Sequence, residues 1–569
     1  MANFEKIFND ASTAYNNNDL STASALLNDI IAEKPFFAPA YNMLADIFYQ
    51  TGNKDEALTL YQKCLELVPK EAFGYIGTSK ILCDFQKYDE ALNICLKFKP
   101  KKNQSSNDLL LNQARALIGL SLNNKAYDIL KTFSKDNQDA QTYIAQITAA
   151  TGKYKKALKM CDKLIANNNK NSLAYLIKAR IFQELEHFDD ALECYRMVQN
   201  IEPDNVQNLI EQSQLLMSLN KDSEALVILK NALESSDYNV ETTAQIALLI
   251  YNNGYINEAV DMLEKAFYKD PLNSKLNIAI GSILINVSDN IADNCKYFKT
   301  AIANNDLNES DIVFIHNTLL SLIDKNLEAV KDIIDFWIEA KPFDSIVLHL
   351  KNIIDNRKVS ECEFEYLKRI YNQRALYTNK HEMSQETAAS YNAVIGLLSQ
   401  TVFAKKLGNM VLDIGCGSGS LSKTLRPLAP FGNLYGIDIS SHMVELCRNQ
   451  EIYDNLHNIE VTKFLEDTYD YFDLIIADGI FQTKGDLIPY LQSINRALVP
   501  NGYFIFTVKV GNNPKEVYKL DKDGLFCHSL THLKKLLSDF ELDILFEKAF
   551  SFENYYGQNI NSRCFVVRK

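Results

Sequence analysis

The chain has 569 residues, more than one domain of ordinary size, and its 47% hydrophobic and 23% charged content excludes a wholly disordered protein. Its net charge is −13: residues 1–350 contain 34 basic and 46 acidic side chains, whereas residues 351–569 contain 25 and 26. Neither part has the basic excess of a nucleic-acid-binding surface. We therefore expect no nucleic-acid partner.

The cysteines and the apolar runs bear on the cellular compartment. The eleven cysteines are odd in number and include no Cys-x-x-Cys pair, which predicts reduced thiols and neither a disulfide framework nor a bound metal. The first residues lack a basic segment followed by an apolar one, and no apolar run approaches the length of a membrane span. We expect a cytoplasmic protein without a membrane span.

An alanine recurs every 34 residues through the first half, inside apolar patterns of helical period, with one irregular step. The recurring alanines are Ala23, Ala57, Ala91, Ala126, Ala157, Ala191, Ala225 and Ala259. Prolines that would close a helix stand twelve residues after four of them, at Pro35, Pro69, Pro203 and Pro271. The pattern predicts antiparallel helix pairs in which alanine lets two helices approach closely.

This pattern resembles the tetratricopeptide repeat, with eight units over about residues 4–271. A weaker ninth unit extends to about 305, where Asp293 replaces the expected alanine. An irregular helical bundle is the alternative. The resemblance implies a right-handed solenoid whose concave face binds peptides or protein partners. Amphipathic segments at 311–342 and 343–370 are expected to cap it.

The pattern changes near residue 408, where a glycine-rich loop follows a short buried strand. The strand Met410–Ile414 leads directly into Gly415-Cys416-Gly417-Ser418-Gly419 and a predicted helix at 420–428. Glycines let the backbone turn sharply and approach a ligand closely. The next strand ends at Asp438, nineteen residues after the last glycine, where a carboxylate can accept hydrogen bonds from both hydroxyls of a ribose.

Further strands complete the expected sheet. They are a third at 459–461, a fourth at 472–477, a fifth at 502–508 and a terminal pair at 542–549 and 564–567. Amphipathic helices stand between the strands, which predicts a parallel sheet with helices on both faces.

Four segments of this half, VLDIGCGSGSLSKTL, LYGIDIS, FDLIIAD and LVPNGYFIFTV, resemble the motifs of class I S-adenosylmethionine-dependent methyltransferases. A dehydrogenase is the alternative, but Asp413 and the GCGSG spacing fit the methyltransferase version. With the repeats, the chain resembles bacterial methyltransferases that carry tetratricopeptide repeats. The resemblance implies an all-α solenoid followed by an α/β Rossmann-like domain with S-adenosylmethionine as cofactor. It assigns cofactor binding to Asp413, Gly415, Cys416, Gly417, Gly419, Asp438 and Ile439.

The residue that contacts adenine stays open, because the segment after the third strand lacks the family's usual acid. Phe464, Leu465 or a backbone group are the candidates. Tyr371 and Tyr377, in a helical segment before the glycine loop, are expected either to cover the cofactor or to pack in the core.

Transfer of a methyl group from a sulfonium needs alignment more than acid–base chemistry, and a base is required only if the acceptor is protonated. Asp478, at the end of the fourth strand, is the acidic candidate; capping the following segment is its alternative role. His528 is a second candidate base or orienting donor. No Asn-Pro-Pro-Tyr follows the fourth strand and no Pro-Cys nucleophile is present, which disfavours transfer to an adenine or glutamine amide nitrogen or to cytosine C5.

These expectations divide the chain into a repeat array at 1–305, a helical cap and connector at 306–370, a helical lid or linker at 371–407 and a methyltransferase domain at 408–569. The leading hypothesis is a methyltransferase whose array recruits a protein partner or substrate. Two alternatives stay open: O- or C-methylation of a small molecule, such as a quinone or envelope precursor, and a scaffold with a non-catalytic cofactor-binding domain.

Overall fold

The structure is a computed structural model. It describes residues 2–99, 106–287, 290–304, 306–377, 385–400, 410–427, 432–448, 450–511, 516–553 and 559–569. By its internal contacts the chain divides into two compact units, Met1–Ile201 and Glu202–Lys569. The expected boundaries at 305, 370 and 407 do not coincide with this division, and they stay predictions.

The first unit consists of helices that pair consecutively along the chain. They are α1 (Ala2–Asn16), α2 (Leu20–Glu33), α3 (Ala38–Gln50), α4 (Lys54–Leu67), α5 (Ala72–Asp84), α6 (Tyr88–Lys97), α7 (Asn107–Gly119), α8 (Asn123–Leu130), α9 (Gln138–Ala150), α10 (Tyr154–Asn167), α11 (Ser172–Glu184) and α12 (Phe188–Ile201). The recurring alanines of this unit stand on the second helix of each pair and are fully buried.

Close helix approach explains the small residues. Ala145 of α9 and Ala157 of α10 are both fully buried in one apolar cluster. A β-carbon added at Gly77 of α5 would lie 2.3 Å from the ring of Tyr61 on α4, so no larger residue fits there. The spacing of small residues thus reflects the short distance between packed helices.

The turn inside each helix pair contains one residue in the left-handed region, with φ between 57° and 86°. In the first unit these residues are Asn18, Gly52, Gln86, Ser121, Gly152 and Glu186. Most are not glycine, and each such residue has a cost of about 1 kcal/mol in backbone energy. The sequence showed the turn clearly only where glycine stands.

The second unit begins with three further helix pairs and continues with helices that surround the buried Trp337. The paired helices are α13 (Val206–Ser218), α14 (Asp222–Ser235), α15 (Val240–Asn252), α16 (Ile256–Lys269), α17 (Ser274–Val287) and α18 (Ile291–Ala303). The helices that follow are α19 (Glu309–Leu322), α20 (Leu327–Ala340), α21 (Ser345–Ile354), α22 (Phe364–Tyr377) and α23 (Gln385–Gln400). The segment expected at 311–342 is therefore two helices, separated by a turn at 323–326. The expected linker lies partly outside the described residues, at 378–384 and 401–407.

A nine-stranded sheet follows. Its strands are β1 (Met410–Ile414), β2 (Asn433–Asp438), β3 (Asn455–Asn458), β4 (Phe472–Ala477), β5 (Leu498–Gly511), β6 (Tyr518–Leu520), β7 (Phe526–Ser529), β8 (Asp543–Glu553) and β9 (Asn559–Arg568). The parallel order is β3-β2-β1-β4-β5, and β9 pairs antiparallel with both β5 and β8. The end of β5 also pairs with β7 of the β6–β7 hairpin. The expected α/β fold after an all-α part is confirmed.

Helices cover both faces of the sheet. Those after β1 are α24 (Ser420–Leu425), α25 (Ser441–Arg448), α26 (Val461–Phe464), α27 (Ile488–Ala497) and α28 (Leu530–Asp539). Val394 and Leu398 of α23 pack on the face that carries Val411, while Leu412 points into the opposite cluster with α27 and α28. Within the described part of the chain, no helix combines the length and apolar character needed to cross a membrane.

Three expectations about strands need correction. The third strand lies at Asn455–Asn458 and not at 459–461, because Glu460 accepts hydrogen bonds from Thr462 and Lys463 and so caps α26. The fifth strand begins at Leu498 and not at 502, and β8 and β9 are longer than expected. The β6–β7 hairpin was not foreseen.

Candidate functional site

The glycine loop lies at the carboxyl end of β1, and its three glycines have positive φ: 68° at Gly415, 53° at Gly417 and 81° at Gly419. The N–H groups of Gly415 and Cys416 donate to the carbonyl of Ile437, at 2.8 and 3.0 Å, which ties the loop to the end of β2. A β-carbon at Gly417 would meet only open space, with its nearest neighbour 4.0 Å away. The loop therefore presents bare backbone to that space.

Asp438 lies where β2 ends, next to this loop. Its Oδ2 accepts the N–H of Gly417 at 3.0 Å and its Oδ1 accepts the N–H of Ser440 at 2.8 Å. The side chain is largely buried, and burial raises its pKa to about 6. The structure thus joins two sequence-predicted elements, the glycine loop and the acid of the second strand, by a direct hydrogen bond.

Asp413 is buried beneath the loop and faces two hydroxyl groups. Its Oδ2 accepts hydrogen bonds from Ser422 of α24 and from Tyr453, both at 2.6 Å. Burial raises its pKa to about 6. These bonds brace the start of α24, and the expected cofactor-binding role of Asp413 stays a prediction. Tyr453 was missed by sequence reasoning, because it precedes β3 without any motif.

Two thiols lie under the loop. The Cys447 thiol, on α25, donates to the carbonyl of Gly417 at 3.0 Å and lies 3.8 Å from the sulfur of Cys416. Both side chains are buried, and a β-carbon at Gly419 would be 3.1 Å from the Cys447 sulfur. The thiols therefore support the loop from below, and Cys447 was also missed.

The residues expected around ribose and adenine have defined positions. Ile439 is half-buried and packs against the apolar cluster of α19–α22. The side-chain amide of Asn458 donates to the carbonyls of Asp438 and Ile439, at 2.9 and 2.8 Å, which fixes the backbone here. Leu465 is fully buried in the sheet core, so Phe464 or backbone groups are the better candidates for the open adenine contact.

Asp478 follows β4 and connects three elements. Its Oδ1 accepts hydrogen bonds from Ser390 of α23 and, at 2.6 Å, from Thr507 of β5. The Thr507 hydroxyl in turn accepts the N–H of Gly479 at 2.7 Å. Burial raises the pKa of Asp478. Among the described residues, its hydrogen-bond partners are hydroxyl groups and not the turn at 481–483, so its expected capping role is not what the geometry shows.

His528 lies on β7 in the protein interior, and this placement does not favour the catalytic role expected for it. Its Nε2–H donates to the carbonyl of Phe481 at 3.1 Å, and burial lowers its pKa to about 4. The ring is therefore neutral at pH 7 and ties β7 to the turn after β4. Tyr371 similarly packs against the helical cluster, whereas the side chain of Tyr377 lies outside the described residues.

Comparisons with known proteins agree with this geometry. Residues 405–548 match a family model described as a methyltransferase domain, and residues 38–71 match one described as a tetratricopeptide repeat. The chain is 28% identical over 144 residues to a malonyl-[acyl-carrier protein] O-methyltransferase of Legionella pneumophila. This match covers 24% of the chain and 50% of the relative. The enzyme of the same name from Priestia megaterium is 27% identical, over 29% of the chain and 61% of the relative.

Among solved structures, a SAM-dependent methyltransferase from Methanosarcina mazei is similar at 19% identity and a TM-score of 0.25, covering 30% of the chain and 97% of that structure. The chain spans about half the length of the first curated relative. By its two family-model matches, the chain contains tetratricopeptide repeats and a class I methyltransferase domain, whose cofactor is S-adenosylmethionine. The open space at Gly417 and the Asp438 carboxylate beside it fit that cofactor.

Proposed function

We propose that this protein is an S-adenosylmethionine-dependent methyltransferase whose repeat array recruits a protein, and whose C-terminal domain methylates that protein or a group it carries. One observation carries the cofactor part: the Gly417 N–H binds the Asp438 carboxylate at the edge where β1 and β2 end. Ligands of open α/β sheets bind outside these carboxyl ends.

The residues of this edge would each make a distinct contribution. Asp438 would accept the two ribose hydroxyls, while the glycines would let the backbone approach the ligand without a β-carbon in the way. Asp413, through Ser422 and Tyr453, would hold the loop in place. The cofactor supplies a methyl group already activated on a sulfonium, so the protein mainly orients the acceptor and excludes water.

Asp478 is the remaining candidate for a general base. Its raised pKa suits proton uptake, but its Oδ1 is bound to two hydroxyls, which also suits a bracing role. A protonated amine or phenol as acceptor would require such a base, whereas a carboxylate would not.

The charge of the chain supports a basic or neutral partner. Residues 1–350 have 46 acidic against 34 basic side chains, so an acidic partner would be repelled at moderate ionic strength. Tetratricopeptide repeats generally bind peptides or proteins. The repeat array would therefore recruit the protein partner. We place this function in the cytoplasm.

The proposal is tested by incubating the full-length chain and its Asp438→Ala variant with methyl-labelled S-adenosylmethionine and cell lysate. Label in a protein fraction that depends on Asp438 would support it. Equal labelling with both chains would contradict it.

A second candidate is methylation of a small molecule, with the repeats used for assembly. A relative named fatty-acid O-methyltransferase, from Mycolicibacterium smegmatis and 27% identical over 167 residues, favours it. The name malonyl-[acyl-carrier protein] instead describes an acyl group on a carrier protein, which fits the first proposal. Label in a small-molecule fraction would support this candidate. Cofactor binding without any transfer would instead support a non-catalytic domain on a scaffold.

A further inference from the structure

The loop after β2 is in contact with a helix that lies outside the matched methyltransferase domain. This helix is α22, at residues 364–377, whereas the family match begins at residue 405. The contact is a hydrogen bond in which the Ser440 hydroxyl donates to Oδ1 of Asn372, at 2.7 Å. Ser440 is fully buried and Asn372 is partly buried, so the bond is largely shielded from water.

Ser440 also holds the proposed ribose-binding acid. Its backbone N–H donates to Asp438 Oδ1 at 2.8 Å, and its hydroxyl accepts the N–H of Met443 at 3.1 Å. The hydroxyl therefore has one donor and one acceptor partner, and its orientation is fixed. Ser440 thus connects Asn372 with the Asp438 carboxylate through two different groups, its hydroxyl and its backbone N–H.

Helix α22 is itself held in place by side chains next to Asn372. Arg369 forms ion pairs with Glu309 at 2.8 Å and with Asp344 at 2.7 Å, and Gln373 accepts a hydrogen bond from Ser310 at 2.8 Å. Ile439 packs against the same helical cluster. The loop after Asp438 thus packs against helices that are held in place by their own contacts.

We infer that Asn372 is a positioning residue of the cofactor site, which orients Asp438 toward the ribose hydroxyls through Ser440. This inference rests on the proposed function, because it assumes that Asp438 binds ribose. A helix that precedes the methyltransferase domain would then help to position a residue of its cofactor site. Without the Asn372 bond, the loop at Ser440 is held less firmly. Its backbone N–H then positions the Asp438 carboxylate less accurately.

The test compares two ligands, S-adenosylhomocysteine and its 2′-deoxyribose analogue, by calorimetry on the full-length chain. In Asn372→Ala, we expect the Kd of S-adenosylhomocysteine to rise about fivefold, the range of one hydrogen bond. The Kd of the deoxy analogue should change less than about twofold, because this ligand lacks one of the two hydroxyls that Asp438 would bind. The ratio of the two Kd values, which measures the preference for ribose, therefore becomes smaller. Loss of folded protein alone would not change this ratio.

Gln373→Ala is the matched control, since it removes a bond from the neighbouring residue of α22 to a different partner, Ser310. It should leave the preference for ribose unchanged. In a Ser440→Ala background, Asn372→Ala should add nothing further, because the pair acts as one unit. If Asn372→Ala weakened the binding of both ligands equally, or of neither, the inference would be overturned. A wild-type chain that binds neither ligand would contradict the proposed function, and the inference with it.

Discussion

Burial raises the pKa of two acids of the second unit and lowers the pKa of three of its histidines. Asp413 and Asp438 are held without a cationic partner in their hydrogen-bond set, and burial raises the pKa of each to about 6. Burial lowers the pKa of His316 and His528 to about 4 each, and that of His349 to about 3. Desolvation disfavours the charged form in every case. The two acids are therefore mostly ionised at pH 7, and the three buried histidines are neutral there.

Binding of S-adenosylhomocysteine should weaken as the pH falls through about 6. Asp438 must be ionised to accept hydroxyl donors, and at pH 5 most of it is protonated, so the Kd should rise about tenfold from pH 7.5. Calorimetry at both pH values measures this. The raised pKa of the folded state means that this group contributes stability at low pH and loses it as the pH rises through 6, so it does not itself cause acid unfolding.

The control for this prediction is Asp438→Asn, which cannot titrate. Its Kd should be weak and nearly independent of pH. A variant whose Kd keeps the same pH slope as wild type would show that another group is responsible.

His528→Gln should make the protein less sensitive to acid. A histidine whose pKa is lowered in the folded state contributes stability above pH 6.5, and this is lost as the pH falls from 6.5 toward 4. Between pH 7.5 and pH 5 we expect wild type to lose about 2 kcal/mol more than the variant in free energy of unfolding. Glutamine retains a donor for the Phe481 carbonyl. Denaturant unfolding at both pH values measures the difference, and equal losses would argue that His528 is protonated in the folded state.

At the scale of elements, three central strands of the sheet could be predicted from the sequence, whereas the β6–β7 hairpin could not. β1, β2 and β4 are short, mostly buried and rich in apolar residues, and their observed bounds agree with the sequence. The β6–β7 hairpin is short and polar, and Leu520 and Phe526 become buried only because they join the apolar cluster of α19–α22. No local pattern encodes such a contact, so sequence reasoning missed the hairpin.

A buried ion pair holds the tip of this hairpin. Lys509, near the end of β5, contacts Asp523 at 2.6 Å and Asp521 at 3.0 Å, and the side chains of Lys509 and Asp523 are only 7% and 2% exposed. Lys509→Met should lower the free energy of unfolding by about 3 kcal/mol, because it leaves a buried carboxylate unpaired. Denaturant unfolding measures the loss.

Lys522→Met is the matched control on the same hairpin. Lys522 pairs with Asp324 at 2.6 Å, but both side chains are more than half exposed, so its loss should change stability little. Similar losses in the two variants would mean that burial does not determine the strength of these pairs.

At the scale of the molecule, the sequence motifs and the compact units divide the chain differently. Motifs separate repeats, connector and methyltransferase domain, whereas contacts join residues 202–569 into one unit. The joining contacts involve residues without any motif: His349 with the carbonyl of Gly524 at 3.2 Å, and Glu361 with the Tyr490 hydroxyl at 2.6 Å. The cofactor loop could be predicted because its chemistry demands glycines and an acid. The supports from Tyr453, Cys447 and Asn372 could not, since many residue types form such bonds.

The central claim is that the glycine loop and Asp438 bind S-adenosylmethionine. Calorimetric titration of the full-length chain with S-adenosylhomocysteine at pH 7.5, beside Asp438→Ala, tests it most directly. We expect saturable binding at one site per chain, with affinity at least about tenfold weaker in the variant, because a charged acceptor of two hydroxyls is lost. No binding by the wild-type chain, or the same Kd in both chains, would contradict the claim.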